Sequence, residues 1–349
     1  MSRRVILIRH AMPDIPLGEH WCVGGRSDFP LGRLGRIQAA RLPFVPELQT
    51  VKAVFASSLV RAIETARPLC AAPQIVPGLE EQDMGVWDGL SFREIMARFP
   101  DLYAARESDP SLLPEGAESG EAVRERMTEA VWRCLRRSEG DIAIVSHKGS
   151  IASLTGNRRA LGYTSLSFLL EKGGELVVES SGRMPLPPLT EELCLAMLTA
   201  AGADEALIAH CRAVAALSGE LCGALQAKGV PLDASAVSAA ALLHDIAKGE
   251  RGHAAVGGQW LQELGYPREA EIVRQHNDLD AVLPDEAGVV FLADKAVRGS
   301  KRVGLDERFA ASREKCRTAE AKAAHARRYE AARALRQEIN RLAGAEMIE

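Results

Sequence analysis

Two histidines follow predicted strands, at the position where ligands bind in an open α/β sheet. His10, preceded by Arg9, comes after the β-rich run Arg3–Ile8, and His147 comes after Asp141–Ser146. Parallel strands bring their carboxyl ends to one edge of the sheet, so we expect both imidazoles at that edge. Each histidine taken alone is better explained as a strand cap or a satisfied core group. The pair, with an arginine beside it, shifts the balance toward a reactive site.

The later half of the chain holds a second set of polar residues, each on or beside a predicted helix. A buried His-Asp pair needs polar partners, and a metal ion satisfies both side chains. Imidazole nitrogens with carboxylate oxygens suit iron, manganese or zinc more than calcium. Taken singly, each histidine is better explained as structural, but the ordered set points to a metal. Its members are His210, His244, Asp245, His253, His276 and Asp294.

Residues 1–180, which contain both of these histidines, show an α/β pattern of predicted strands and helices. The strand runs lack polar alternation, which predicts strands buried on both faces, in a three-layer domain whose mostly parallel sheet is covered by helices. The predicted strands are Arg3–Ile8, Val51–Ala56, Asp141–Ser146 and Gly174–Glu179, and the predicted helices are Leu59–Ala71, Phe92–Phe99, Glu118–Arg137 and Ser150–Leu161.

A proline-rich stretch then interrupts the pattern, with prolines at 185, 187 and 188. Proline continues neither a helix nor a central strand, so we expect domains at 1–183 and 190–349 with a linker at 184–189. Strand signals almost vanish after the linker, and the second domain is predicted to be all-α. Its predicted helices are Glu191–Ala201, Glu205–Lys228, Ala234–Lys248, Ala254–Leu264, Glu269–Gln275 and Glu286–Val297, followed by one long helix or a helical pair over Ala310–Leu342.

The composition of the chain excludes several classes of function. The chain is 47% hydrophobic and 26% charged with a net charge of −4, which indicates a folded protein and not a dedicated nucleic-acid binder. No apolar run approaches a membrane span, and the apolar run after Arg4 is too short for a signal peptide. The seven cysteines are scattered and odd in number, which suits a reducing cytoplasm. We therefore expect a cytoplasmic protein with no membrane or nucleic-acid partner.

Five ordered motifs over about 150 residues resemble the histidine phosphatase (phosphoglycerate mutase-like) superfamily. The chain departs from the usual pattern at Ala11 and Lys148, where the family usually has glycine. These departures bear on the substrate more than on the reaction class. The motifs are Leu7–Ala11 (the Arg-His-Gly opening), Gly25–Ala39, Ser57–Ala66, Leu79–Gly89 and Val145–Gly149.

That resemblance implies a phosphatase that needs no cofactor in this domain. His10 would attack phosphorus and form a phosphohistidine, which splits one difficult displacement into two. Arg9, Arg61 and His147 would hold the phosphoryl oxygens, which carry negative charge throughout the reaction. Glu81 would protonate the leaving oxygen and then help to activate water. No insertion suggests the extra contacts of a mutase, so phosphatase is favoured, with a binding-only domain as the alternative.

Residues 190–305 resemble the HD-domain metal-dependent phosphohydrolases. The resemblance implies one or two divalent ions, iron, manganese or another transition metal, and one metal bound by His210, His244, Asp245 and Asp294. Asp245 would bridge to a second ion held also by His253 and His276. Lys248 would neutralise phosphate charge. The motifs that carry it are His210–Ala215, Leu242–Lys248, His253–Gly257, Val273–His276 and Leu292–Lys295.

Together these patterns predict a bifunctional phosphohydrolase that acts on a small phosphorylated metabolite in the first domain and on a phosphoester, with a nucleotide as the candidate, in the second. One alternative is that only one of the two sites is catalytic and that the other domain senses a phosphorylated ligand. Another is a scaffold that only binds ligands with both folds. The charged, Ala-rich segment 313–342 is expected to pack on the second domain or to mediate a homodimer.

Overall fold

The computed structural model describes residues 2–15, 20–109, 111–157 and 161–348. By internal contacts the chain divides into two compact units, Met1–Pro187 and Pro188–Glu349. Each unit is described by itself. Within the described residues, no helix combines the length and apolarity required to cross a membrane.

A six-stranded sheet forms the centre of the first unit, in the order β3-β2-β4-β1-β5-β6. The first four strands of that order run parallel, and β5 pairs antiparallel with both β1 and β6, which confirms the mostly parallel sheet. The strands are β1 (Arg3–Arg9), β2 (Ala53–Ala56), β3 (Gln74–Ile75), β4 (Ile142–Ser146), β5 (Leu166–Lys172) and β6 (Glu175–Arg183).

Alternate residues of β1 enter two separate hydrophobic cores, one on each face of the sheet. Val5 and Leu7 belong to a cluster with Met127 of a long helix. Ile6 and Ile8 belong to the opposite cluster. All four side chains are fully buried, which explains why this strand lacks polar alternation in the sequence. The three-layer α/β architecture follows from this double burial.

Helices cover both faces, and several differ from the predicted bounds. The predicted helix over 150–161 begins earlier and ends at Thr155, because Gly156 takes a left-handed conformation with φ 70° and caps it. Residues 158–160 of that prediction lie outside the described residues. The helices are α1 (Arg33–Ala40), α2 (Val60–Ala66), α3 (Phe92–Arg98), α4 (Pro100–Ser108), α5 (Gly120–Arg136) and α6 (Lys148–Thr155), with short 3-10 turns at Leu42–Phe44, Pro46–Leu48 and Gly85–Trp87.

The sheet contains two strands outside the predicted set, β3 and β5, and one expectation about its strands is wrong. The strand β5 was not predicted, although it pairs with β1 in the middle of the sheet. The predicted strand 174–179 exists as β6, but it is a largely exposed edge strand and is not buried on both faces. Val177 and Val178 are both exposed there. An apolar run alone does not distinguish an edge strand from a central one.

The second unit is helical, as predicted, apart from two very short strands. The segment after residue 304 forms a helical pair. His244 and Asp245 do not lie on the helix predicted over 234–248, because α9 ends at Leu243 and a series of turns follows. The elements are α7 (Glu191–Ala200), α8 (Glu205–Gln226), α9 (Ala234–Leu243), α10 (His253–Glu263), α11 (Pro267–Gln275), α12 (Glu286–Lys295), β7 (Val297–Arg298), β8 (Lys301–Arg302), α13 (Leu305–Arg313) and α14 (Ala319–Ala343).

Candidate active site and candidate metal centre

His10 directly follows β1, and its backbone is held at the sheet edge. Its N–H donates to the Ser146 carbonyl at 2.8 Å, at the end of the neighbouring strand β4. The ring nitrogen Nδ1 lies 2.7 Å from the Ala11 carbonyl oxygen. A carbonyl oxygen only accepts hydrogen bonds, so Nδ1 carries the proton and Nε2 keeps its lone pair. His10 is 5% exposed, so this Nε2 lone pair is largely shielded from solvent at the sheet edge.

His147 follows β4 and lies beside His10, with 5.0 Å between the two ring centroids. Its Nε2 is 2.8 Å from the Ser57 hydroxyl, and its buried Nδ1 has no hydrogen-bond partner among the described residues. Burial lowers the pKa of both imidazoles well below the usual value, and the nearby Arg9 and Arg61 cations lower it further. Both rings are therefore neutral at neutral pH.

Two guanidinium groups complete the cationic side of this site. Arg9 lies 3.9 Å from the centroid of the Tyr163 ring and donates to the Leu161 carbonyl. Arg61, in the first turn of α2, is fully buried and donates to the carbonyl oxygens of Ser27 and Gly24. The Nε groups of both arginines are buried and have no partner among the described residues. Such donors suit an anion with several oxygens.

Glu81 lies at the amino end of α6, which begins directly after His147. Its carboxylate accepts hydrogen bonds from the backbone N–H groups of Gly149 at 3.0 Å and Ser150 at 3.1 Å. A Cβ atom at Gly149 would lie 2.5 Å from Glu81 Oε1, so only glycine allows this approach. The charge of Glu81 acts on both Arg9 and Arg61. The structure thus brings all the predicted residues of the first domain together.

The six residues predicted as metal ligands form two adjacent groups of three, His210 with His244 and Asp294, and Asp245 with His253 and His276. In the first group, Asp294 Oδ1 lies 3.2 Å from His210 Nε2 and 3.7 Å from His244 Nε2. In the second, Asp245 Oδ1 lies 3.1 Å from His253 Nε2 and 3.7 Å from His276 Nε2.

Asp245 connects the two groups. Its Oδ2 lies 3.6 Å from His244 Nε2, while its Oδ1 faces the second group. Lys248 Nζ donates to the same Oδ2 at 2.7 Å. Lys295 Nζ likewise donates to Asp294 Oδ2 at 2.7 Å. Each carboxylate therefore contacts one lysine and faces imidazole nitrogens of its own group.

Three of these histidines carry their proton on Nδ1, which indicates that the two groups are suited to binding cations. His210, His244 and His276 each donate Nδ1–H to a backbone carbonyl, that of Gly299, Ala241 and Val273 respectively. Each Nε2 lone pair then faces a carboxylate, and two electron-rich atoms at such distances need a positive charge between them. The buried His244 Nε2 has no hydrogen-bond partner among the described residues. The donor set fits a divalent transition metal.

The pKa values of these residues shift in different directions according to their surroundings. Burial opposes protonation of His210, but the hydrogen bond and charge of Asp294 outweigh it and raise the pKa of His210. Burial lowers the pKa of His276 to about 3. Burial alone would raise the pKa of Asp294, yet Lys295 and the facing histidines hold it well below the usual range. The carboxylate stays ionised and available to a cation.

Several residues at both sites escaped the sequence analysis. Tyr163 covers Arg9 and lies 5.7 Å from the His10 ring, centroid to centroid. It precedes Thr164, which has φ 59°, an unusual conformation for a non-glycine residue. Asn277 lies 3.1 Å from His253 Nε2. Tyr163 carries no signal in the sequence, whereas Asn277 and Lys295 adjoin predicted ligands and would have been found by inspecting those neighbours.

Comparison with known proteins gives the same division of the chain. Residues 5–168 match the histidine phosphatase superfamily (branch 1), and residues 207–299 match the HD domain. A Mycobacterium tuberculosis protein named as bifunctional is 32% identical over 157 residues, 43% of each chain. A glucosyl-3-phosphoglycerate phosphatase from M. tuberculosis is 29% identical over 167 residues, 44% of this chain and 74% of the other.

Among solved structures, a mycobacterial glucosyl-3-phosphoglycerate phosphatase aligns with a TM-score of 0.46 and 23% identity, over 52% of this chain and 100% of the other. The chain spans 43% of the length of the first curated relatives it matches. The two family matches cover separate ranges of residues, one in each unit. The chain therefore carries a histidine phosphatase superfamily domain at residues 5–168 and an HD domain at residues 207–299.

Proposed function

We propose that the chain is a bifunctional phosphohydrolase with one phosphomonoesterase site and one metal-dependent site. The observation that carries the first activity is the state of His10, whose Nδ1 proton is bound by the Ala11 carbonyl. This leaves the Nε2 lone pair in a pocket with two guanidinium groups that have unpaired buried donors. A neutral nucleophile among fixed cations suits an incoming phosphate dianion.

In the first step, His10 Nε2 forms a bond to phosphorus as the bond from phosphorus to the ester oxygen breaks. Glu81, which enters this step in its protonated form, transfers its proton to that oxygen, and the alcohol leaves. Water then attacks the phosphohistidine while Glu81 takes up a proton, and the P–N bond breaks to release phosphate. Arg9, Arg61 and His147 hold the phosphoryl oxygens in both steps.

For the second unit, we propose that the two three-residue groups hold divalent metal ions, with Asp245 shared between them. Ions bound there would lower the pKa of a coordinated water and offset phosphate charge. The chain's own residues orient the ligands, since three imidazoles are fixed through Nδ1 by backbone carbonyls. Lys248 forms an ion pair with Asp245, and its side chain is 53% exposed. From this position it would contact a substrate phosphate.

Small phosphorylated molecules are the proposed substrates of the first site, a proposal supported by the glucosyl-3-phosphoglycerate phosphatases among the relatives. A nucleotide remains the proposal for the second. The segment 184–189 is proposed as the linker between the domains. Cytoplasmic location remains a proposal, supported by seven free cysteines. Independence from nucleic acid and membranes, and a homodimer through the C-terminal helices, are likewise proposals.

The test is hydrolysis of 4-nitrophenyl phosphate and of nucleotides by the full chain, with chelator or with added Mn²⁺. We expect 4-nitrophenyl phosphate turnover to survive chelator and to fall by about a thousandfold or more in His10→Ala. The exposed His20→Ala variant serves as the matched control. Metal-dependent activity should disappear in Asp245→Ala while the first activity persists. Chelator-sensitive turnover of 4-nitrophenyl phosphate that survives His10→Ala would contradict the proposal.

A further inference from the structure

We propose that Arg126 of α5 is a positioning residue for Glu81, because its guanidinium group fixes the loop that carries this carboxylate. The inference rests on the proposed phosphomonoesterase function and deepens it. Residues 77–83, which we call the Glu81 loop, connect β3 to the turn at Gly85–Trp87 as an irregular segment. Arg126 lies outside the five motifs of the first domain, so its part in the reaction follows from its contacts.

The guanidinium group of Arg126 is fully engaged by the Glu81 loop and by Glu118. Its Nη1 donates to the carbonyl oxygens of Gly78 at 2.9 Å and Glu80 at 2.8 Å. Its Nη2 donates to the Glu81 carbonyl oxygen at 3.1 Å and to Glu118 Oε2 at 2.8 Å. Its Nε donates to Glu118 Oε1 at 2.6 Å. A guanidinium group carries five N–H donors, and these contacts use each of them.

These hydrogen bonds satisfy the backbone carbonyl groups of the Glu81 loop. An irregular segment lacks the regular partners of a helix or a sheet, so its carbonyl oxygens need other donors. Arg126 bonds to three of the four carbonyl oxygens of residues 78–81. The fourth, that of Leu79, accepts from the hydroxyl of Ser146 at 2.8 Å, at the end of β4. The path of the loop is therefore set by α5 and β4.

Glu118 orients Arg126 and also contacts the far end of the Glu81 loop. Its carboxylate accepts from Nε and Nη2 side by side, a paired geometry that fixes the plane of the guanidinium group. The backbone N–H of Glu118 donates to the Asp83 carbonyl oxygen at 2.9 Å. Its own carbonyl oxygen accepts from Gln82 Nε2 at 2.7 Å. Arg126 and Glu118 together hold the loop from Gly78 to Asp83.

A cavity of about 420 Å³ adjoins this contact, and Arg26 lines it together with Arg126. Arg26 is exposed and forms an ion pair with Asp83 at 2.8 Å. The side chain of Arg126 is 24% exposed, but its donors already have acceptors in the protein. The contacts of Arg126 therefore favour a role in holding Glu81 over a role in binding a ligand in this cavity.

Glu81 is thus held at two points, which matters for proton transfer. Its carboxylate accepts from the N–H groups of Gly149 and Ser150, and its backbone carbonyl accepts from Arg126. The proton has to reach the ester oxygen of a phosphate placed at His10, so a shift of the loop would misplace the acid. A displacement of about 1 Å can slow such a step by about a hundredfold. Loss of Arg126 should therefore slow reactions whose leaving group needs a proton and spare those whose leaving group does not.

The experiment compares two substrates in the full chain, glycerol 3-phosphate, whose alkoxide needs a proton to leave, and 4-nitrophenyl phosphate, whose leaving group does not. In Arg126→Met we expect kcat/KM to fall by about tenfold or more for glycerol 3-phosphate and by less than about threefold for 4-nitrophenyl phosphate. Arg126→Lys keeps the charge but not the planar set of donors, so it should recover only part of the loss. A variant that combines Glu81→Gln with Arg126→Met should lose no more on glycerol 3-phosphate than Glu81→Gln alone, because Arg126 acts through Glu81.

Controls separate this inference from a general effect on folding and from the proposed function. Arg124→Met removes an exposed arginine from the same helix and should leave both kcat/KM values unchanged. Glu118→Gln weakens the contact without removing the guanidinium group, and it should repeat the selective loss to a smaller extent even where Arg126→Met does not fold. Equal losses on both substrates, no loss on either, additive losses in the combined variant or full recovery in Arg126→Lys would overturn the inference. If His10→Ala leaves hydrolysis of both substrates intact, the proposed function itself fails.

Discussion

The two sites use imidazoles in the same way but surround them with opposite charge. His10 in the first unit and His244 in the second both donate Nδ1–H to a nearby carbonyl and present Nε2 to the site. Around His10 the neighbours are the guanidinium groups of Arg9 and Arg61. Around His244 they are the carboxylates of Asp245 and Asp294.

This difference determines what each imidazole can bind. A lone pair among cations is suited to an electrophile that carries its own negative charge, such as a phosphoryl group. A lone pair among carboxylates is suited to a cation. The residue type alone therefore does not assign the chemistry of a histidine. The sign of the surrounding charge determines that chemistry, and its effect can be tested at each site.

The largest expected effect is the loss of metal from the second site in Asp245→Asn. Because Asp245 faces both three-residue groups, we expect wild type to bind one Mn²⁺ per group and the variant to lose at least one of them. Metal analysis by mass spectrometry measures the stoichiometry directly. Added Mn²⁺ at a hundredfold excess over its Kd should stabilise wild type by about 2.7 kcal/mol for each occupied site and the variant much less.

Asp278→Asn is the control for this prediction, because Asp278 is an exposed carboxylate paired with Arg328 outside both groups. It should bind as much Mn²⁺ as wild type. Full Mn²⁺ occupancy in Asp245→Asn would remove the contrast between the two sites.

The next effect concerns proton transfer at the first site. Glu81→Gln keeps the shape of the side chain but cannot deliver a proton, so hydrolysis of an alkyl phosphate should fall by about a hundredfold. The same change should affect 4-nitrophenyl phosphate much less, because nitrophenolate leaves without protonation. Steady-state kcat on both substrates measures the difference. An equal loss on both would show that Glu81 acts on binding or folding instead.

A smaller effect is expected in the pH dependence of the first site. Burial lowers the pKa of His10 well below its usual value near 6.5, so the neutral nucleophile persists as the pH falls. At saturating substrate, kcat should change little between pH 7.5 and 5.5. An imidazole of ordinary pKa would lose about tenfold over that range. A kinetic midpoint near 6.5 would show that burial and the neighbouring arginines do not lower the pKa of His10.

The smallest effect is expected from Tyr163, whose ring lies under the Arg9 guanidinium. Tyr163→Leu removes this cation–π contact and should weaken competitive inhibition by inorganic phosphate about three- to fivefold. Tyr163→Phe keeps the ring and should lose less. If both variants lose the same amount, the hydroxyl matters and the ring does not. No change in either variant would show that Arg9 is positioned by its other contacts alone.

The residue types and the local elements of both sites can be predicted from the amino-acid sequence. His10 and His147 follow apolar runs that form β1 and β4, and such runs are read directly from the chain. The ordered motifs also contain the six residues that form the two candidate metal groups. Local periodicity and short motifs depend on residues that are close in the sequence. These features can therefore be predicted without the structure.

The contacts between residues that are distant in the chain are visible in the folded structure alone. Glu81 accepts hydrogen bonds from the backbone N–H groups of Gly149 and Ser150, and Tyr163 stacks on Arg9. The partners are so far apart in the sequence that no periodic pattern predicts their contact. The strand β5 escaped prediction for the same reason, since pairing with β1 places it within the sheet. The charge around each imidazole is likewise a sum over residues far apart in the chain. That sum, and not the histidines alone, gives the two sites their different chemistry.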